Sequence, residues 1–129
     1  MKKNLHILFI FFAFISLSAF SGKEDQGCRM LHDGGSFLYG NSNAKIKVVI
    51  SGNQYVEYHD NVKYVVVAQI DWISDCEFTQ TITRNSVPDS PYKVGDVITV
   101  RVDRVEGFQH YYTASVNGQN TEGILIRVK

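Results

Sequence analysis

Apolar and polar side chains alternate with a period of two from Val62 to Phe78. The apolar members fall on even positions: Val62, Tyr64, Val66, Ala68, Ile70, Trp72, Cys76 and Phe78. Successive side chains of a strand point to opposite faces, so this pattern predicts a strand with one buried face. The run is longer than a usual strand and Ser74 interrupts its apolar face, which predicts a bend or bulge near 73–75.

The last third of the chain predicts three more strands, 98–102, 108–116 and 124–128, again with even positions inside. Asn117-Gly118 is typical of a two-residue hairpin turn. That turn would set Tyr112 opposite Gly123 and move Ile124 and Ile126 to the outer face, because a shift of one residue turns a whole strand over. We therefore predict an odd-length turn with a bulge and with Gly118 at positive φ.

Earlier strands are predicted at 35–39, 44–51 and 54–59, with another at 79–84, separated by Gly- and Asn-rich turns. The fold class is all-β: a single antiparallel meander of about seven or eight strands that forms a small barrel or half-barrel. The predicted core contains Phe37, Val66, Ile70, Trp72, Phe78, Ile98, Val100, Val102, Tyr112, Ile124 and Ile126.

The first 21 residues have the composition of a signal peptide. Lys2 and Lys3 precede an apolar run, and Ala19-Phe20-Ser21 fits a cleavage site. An uncleaved membrane anchor is the alternative, but the apolar run is shorter than the ~20 residues needed to span a bilayer. We expect an exported protein, periplasmic or secreted, without stable membrane insertion after cleavage. The domains would be 1–21 (signal peptide), 22–34 (a segment carrying Cys28) and 35–129 (the barrel-like domain).

Export changes what the two cysteines and the charges imply. Cys28 and Cys76 are the only cysteines, and in an oxidising compartment we expect them to form a disulfide, with two free thiols as the alternative. Loss of Lys2 and Lys3 leaves 11 basic and 13 acidic residues. With no basic cluster, a nucleic-acid partner is not expected.

The stretch Trp72-Ile73-Ser74-Asp75-Cys76-Glu77-Phe78, with the upstream Cys28 and a Gly-x-Phe start at Gly35, resembles a group of small exported proteins from Bacteroidota-type bacteria. The resemblance covers most of the chain after residue 21 and implies a signal peptide and a β-rich C-terminal half. It assigns no activity. Some members carry a name that mentions DNA topoisomerase IV, which does not fit a short, exported chain without a basic face.

Two architectural resemblances are weaker. Gly35 and Phe37 are similar to the Gly-x-aromatic opening of lipocalin-like barrels, although Phe stands where those proteins usually have Trp. The segment 92–102 resembles the opening strands of an OB-type barrel, which makes an OB-like topology the competing arrangement. Neither resemblance assigns a ligand, because a fold does not determine a function.

No pattern predicts catalytic residues, a metal site or a cofactor. Asp71, Asp75 and Glu77 share one strand face, as solvating carboxylates commonly do, and the histidines His32, His59 and His110 lack the short spacings of zinc ligands. No nucleophile motif such as G-x-S-x-G is present. We expect a binding module and not an enzyme.

Two functional hypotheses follow from the aromatic residues. A barrel interior could hold a small apolar ligand, with Tyr64, Trp72, His110 and Tyr112 as inward candidates. Alternatively, a Tyr-rich exterior carrying Tyr55, Tyr58 and Tyr111 could bind a protein or glycan together with the long loop 85–96. The length of that loop also makes it a candidate lid.

Overall fold

In the computed structural model, which describes residues 27–40 and 46–128, a short helix is followed by eight strands. Helix α1 covers 27–33. The strands are β1 (Gly35–Tyr39), β2 (Lys47–Ser51), β3 (Gln54–His59), β4 (Tyr64–Ser74), β5 (Glu77–Asn85), β6 (Val97–Glu106), β7 (Gln109–Val116) and β8 (Gln119–Val128). The predicted signal peptide, 1–21, lies outside the described residues, as do positions 44 and 45 of the predicted second strand.

The strands form one closed barrel in which each pairs with its neighbours in sequence, and β8 returns to pair with β1. All pairs are antiparallel, and closure is made by Leu38 opposite Ile126 and Tyr39 opposite Leu125. This confirms the all-β meander. The OB-like alternative is wrong, because an OB-fold is a five-stranded Greek-key barrel, whereas these eight strands follow one another around the barrel.

One end of the barrel is closed by α1. Leu31 of the helix is buried, and Cys28 is joined to Cys76 in the turn between β4 and β5, with Cα atoms 5.1 Å apart. His32 lies against the ring of Trp72, with centroids 4.2 Å apart. The disulfide predicted from the cysteine count is therefore confirmed, and it fixes the helix to the barrel. We call this the closed end, and the opposite one, which carries loop 86–96, the open end.

The half of the barrel next to α1 is filled by side chains. Phe37, Ile70, Phe78 and His110 are all buried, as predicted for the three apolar members, and the rings of Phe37 and His110 meet edge to face. Burial of each such apolar side chain contributes about 1.5–3 kcal/mol. Val102 is buried and Trp72 half-buried in this half, whereas Val100 is buried and Val66, Ile98 and Tyr112 are half-buried toward the open half. This half therefore supplies the hydrophobic core.

The long alternating run 62–78 is a hairpin and not one bent strand. β4 ends at Ser74, a turn occupies Asp75 and Cys76, and β5 begins at Glu77. A register shift between Trp72 and Ser74 restores pairing of even with even positions, so Trp72 faces Phe78. Because even residues point inward on both strands, the sequence alternation continues through the turn and hides it. The predicted irregularity near 73–75 is this bulge and turn.

The last hairpin has a two-residue turn, and not the odd-length turn predicted from the sequence. Val116 pairs with Gln119, and Asn117 and Gly118 have φ of 51° and 78°, as in a type I′ turn. Gly118 does have the predicted positive φ, but the odd-length turn is wrong. Tyr112 lies opposite Gly123, which has no side chain to obstruct the ring.

This register changes which residues of β8 face the core. Leu125 is buried, whereas Ile124 and Ile126 lie on the outer face and are half-buried. Gly40 covers both isoleucines there, since a Cβ at that glycine would lie 3.0 Å from Ile126 and 3.3 Å from Ile124. The prediction that Ile124 and Ile126 belong to the core is therefore wrong.

Phe108 also differs from its predicted position. It lies in the turn between β6 and β7 and is 56% exposed, because β7 begins one residue later, at Gln109. In the part of the chain that the structure describes, no helix is long and apolar enough to span a membrane.

Candidate functional site

The open half of the barrel contains a cavity of about 370 Å³. Its walls are mainly apolar side chains that point inward from the strands: Val66, Ala68, Phe78, Ile82, Ile98, Val100, Ala114 and Leu125. Polar groups reach the same space from Tyr39, Tyr55, Glu57, His59, Gln80, Tyr112 and Thr121. Mostly apolar walls with a few convergent polar groups are typical of small-molecule sites, and 370 Å³ lies within their usual size range.

Small inward residues create this space. Ala68 on β4 is buried and Ala114 on β7 is half-buried, and both line the cavity. Gly123 on β8 adds no side chain beneath the ring of Tyr112. The closed half has Phe37, Ile70 and His110 at inward positions instead. Ala68, Ala114 and Gly123 therefore leave room in the open half that larger side chains at these positions would fill.

A carboxylate, Glu57, lies inside the barrel among hydrogen-bond donors. Its Oε2 accepts hydrogen bonds from the hydroxyls of Tyr39 at 2.5 Å and Tyr55 at 2.8 Å. Its Oε1 accepts one from Nε2 of His59 at 2.9 Å. The two hydroxyl oxygens also lie within hydrogen-bond distance of each other, but each carries one proton, so they do not donate to each other while both donate to Glu57. The Glu57 side chain is 18% exposed, so a largely buried carboxylate is held in a fixed position.

These contacts determine the charge of the cluster. Burial raises the pKa of Glu57, but the hydrogen bonds from His59, Tyr39 and Tyr55 outweigh it and hold that pKa below its ordinary value. Burial raises the pKa of Tyr39 and of Tyr55 well above the usual range, and raises that of Tyr112 to about 12. At neutral pH the cluster therefore presents one negative carboxylate and neutral phenols.

Gln80 provides a second polar group in the cavity wall. It is only 7% exposed and points inward from β5 between Phe78 and Ile82. Among the described residues, no protein group hydrogen-bonds its side-chain amide. Its amide atoms are not among the fully buried polar atoms that lack a partner, so they face the cavity and are available to a molecule there.

The loop between β5 and β6 lies over the cavity. Residues 87–92 contribute to its lining. The side-chain amide of Asn85 donates to Oγ of Ser90 and to the carbonyl of Tyr92, both at 2.9 Å, and its Oδ1 accepts from the Val87 amide at 3.0 Å. The long loop singled out in the sequence is therefore at the mouth, and the Asn85 side chain bridges three of its residues.

The four inward candidates are in different places. Tyr112 lines the cavity. Trp72 lies at the closed end, with its ring 4.8 Å from that of Phe78, and His110 is fully buried there with Nδ1 3.3 Å from the carbonyl of Leu125. Tyr64 is half-buried and borders a separate surface pocket beside the β3–β4 turn. Only Tyr112 of this set therefore faces the main cavity.

The three tyrosines predicted to be exterior are separated. Tyr55 is 2% exposed and points into the barrel, so its predicted exterior position is wrong. The ladder pairs it with Ile50 and Ala68, both inward residues. Tyr58 and Tyr111 are half-buried on the outer face, on β3 and β7. These strands are opposite each other in an eight-stranded barrel, so the two rings do not form one patch.

Sequence reasoning missed Tyr39, Glu57, His59 and Gln80. Tyr55 and Tyr58 were both expected outside, although they lie on opposite faces of one strand, and the structure turns Tyr55 inward together with Glu57 and His59. The signal that could have identified them is the i, i+2 series Tyr55, Glu57 and His59, which puts three hydrogen-bonding side chains on one strand face.

Neither a metal centre among the described residues nor a known relative points to a function. Within 27–40 and 46–128, no group of three or more His, Cys, Asp or Glu side chains is placed to hold a metal ion. Asp75, one of the clustered carboxylates in the sequence, lies 3.7 Å from Arg29 at the surface. Comparison of the chain with protein-family models, with curated proteins and with solved structures found no match. The function must therefore be argued from the geometry.

Proposed function

We propose that this protein is a non-catalytic binding module that holds one small, mainly apolar molecule in the cavity at its open end. The observation that carries the proposal is the 370 Å³ space walled by inward apolar side chains. Eight-stranded barrels are just wide enough either to be filled by side chains or to hold one small ligand, as lipocalins and streptavidin do. That comparison is one of architecture alone.

The disulfide between Cys28 and Cys76 supports action outside the cytoplasm, because such bonds form and persist in oxidising compartments. We propose an exported protein, periplasmic or secreted, in which the disulfide secures the closed end while loop 86–96 borders the site. Ligand exchange would then take place at the open end.

The alternative is a protein or glycan interaction module that uses exterior tyrosines and the 85–96 loop. Tyr58 and Tyr111 on opposite sides of the barrel give it little support, and Tyr111 already stacks against Arg104, whose guanidinium carbon lies 3.9 Å from the ring centroid. The loop has exposed Val94 and Tyr92. We rank this alternative second, because its aromatic residues do not meet.

The test is binding of a neutral, apolar fluorescent probe, N-phenyl-1-naphthylamine, to the disulfide-bonded protein. The variant Ala114→Phe puts a ring into the cavity and should weaken probe binding by at least about tenfold, equivalent to about 1.4 kcal/mol. Ser115→Phe, the next residue on the outer face of the same strand, is the matched control and should bind like the wild type. No probe binding by the wild type, or equal loss in both variants, would refute the cavity as the site.

A further inference from the structure

The Glu57 carboxylate retains the capacity to accept another hydrogen bond. A carboxylate has about four acceptor sites. Oε2 uses two on Tyr39 and Tyr55, and Oε1 uses one on His59. One site on Oε1 therefore remains for a donor that enters the cavity.

The donors around Glu57 are already engaged with it. The hydroxyls of Tyr39 and Tyr55 and Nε2 of His59 all point at the carboxylate. An anionic ligand would have to displace them and would meet a like charge. A ligand that brings its own donor would find an acceptor ready, so the cluster is arranged to receive a donor.

The charges that line the cavity favour a positive ligand. Among the described lining residues, Glu57 and Asp89 carry carboxylates and none is Lys or Arg; the lining histidine, His59, is engaged with Glu57. The rings of Tyr39 and Tyr112 lie near each other, with centroids 6.4 Å apart, and both border the space. Aromatic faces attract cations, and the attraction is stronger where water is excluded. Negative charge and π faces therefore act in the same direction.

We propose that the ligand is an amphipathic amine whose protonated nitrogen donates to Oε1 of Glu57 while its apolar part lies against the walls formed by Ala68, Ile82 and Val100. Gln80, whose side-chain amide lines the cavity, would accept from or donate to a polar group farther along the same molecule. This inference rests on the proposed function, since it specifies which class of small molecule the cavity prefers.

The experiment displaces the neutral fluorescent probe with three ligands that share an eight-carbon chain and differ in their head group: octylamine, octan-1-ol and octanoate. A hydrogen bond to a charged group contributes enough for a ten- to a hundredfold difference in affinity. We therefore expect octylamine to bind the wild type roughly 10- to 100-fold more tightly than octanol at neutral pH, and octanoate to bind most weakly.

The variant Glu57→Gln keeps the shape and removes the charge, so octylamine and octanol should bind it with similar affinity. Glu106→Gln, which neutralises an exposed carboxylate at the closed end, is the matched control and should keep the wild-type preference. The wild-type comparison alone decides the inference if Glu57→Gln fails to fold.

The outcomes separate the two proposals. Probe binding with equal displacement by amine and alcohol, or stronger displacement by octanoate, overturns the amine preference and leaves the cavity as the binding site. Probe binding that octylamine does not compete with also overturns it. Absence of probe binding overturns the proposed function, and the inference with it.

Discussion

We expect position 123 to require glycine only because any larger residue there would clash with the ring of Tyr112. Its φ is not in the positive region, so the backbone there accepts any residue. A Cβ at this position, however, would lie 2.5 Å from Cζ and 2.9 Å from Cε2 of Tyr112. Both distances are shorter than the 3.0 Å that real Cβ atoms keep. The substitution Gly123→Ala therefore forces the ring to move by at least about 0.5 Å.

The magnitude follows from overpacking. Forcing an added methyl group against a packed side chain costs about 1–3 kcal/mol, because the ring must leave its rotamer or the strands must separate. Alanine would otherwise be at least as good as glycine in a strand, since glycine loses more conformational freedom on folding. When Tyr112 is shortened to valine, the clash is removed. In that background Gly123→Ala should change the free energy of unfolding by less than about 0.5 kcal/mol.

The assay is a double-mutant cycle measured by urea denaturation of the wild type, the two single variants and the double variant. With a slope of about 2 kcal/mol per molar urea, the single variant Gly123→Ala should unfold at a midpoint roughly 0.5–1.5 M lower. If the glycine substitution has the same cost with and without the Tyr112 ring, the coupling energy is zero. The steric argument would then be wrong.

Three further predictions concern the closed end and the mouth. Replacement of Cys28 and Cys76 by serine should lower the free energy of unfolding by about 4 kcal/mol, because the disulfide joins two residues 48 positions apart in the sequence. Urea denaturation of the wild type and the variant measures this difference. Burial lowers the pKa of His110 in the folded protein, so the stability that neutral His110 contributes is complete above the unfolded pKa of about 6.5 and is lost as the pH falls below it. The variant His110→Gln should therefore lose less thermal stability than the wild type between pH 6.5 and 5.5. An equal loss in the two proteins would contradict this. Asn85→Ala removes the hydrogen bonds that hold the loop, so the Val87 amide should exchange its hydrogen faster by NMR while the global unfolding midpoint changes little.

The hidden hairpin shows why strand content was easier to predict than strand boundaries. Alternation reports which side chains share a face, and the bulge at Trp72 to Ser74 keeps even residues inside on both β4 and β5. The pattern is therefore the same for one long strand and for two strands joined by a bulged turn. Only the ladder, Trp72 opposite Phe78, distinguishes them.

The candidate site could not be predicted from the sequence for a related reason. Binary patterning assigns Glu57 to solvent, and the structure places it inside, where Tyr39, Tyr55 and His59 satisfy it. Tyr39 is 16 residues from Tyr55 along the chain, so no local motif joins them. Departures from the pattern are expected where a site replaces core packing with polar groups.

Local alternation, turn residues and the cysteine count were enough to predict the all-β class, the antiparallel meander, the disulfide and the positive φ at Gly118. Only the three-dimensional arrangement showed which face of β3 is inside, which of the two possible turns sets the face of β8, and that the barrel is packed beside α1 and hollow at its open end. Those features depend on the pairing of strands distant in sequence, on barrel closure by β1 and β8, and on which small and large side chains that closure brings together.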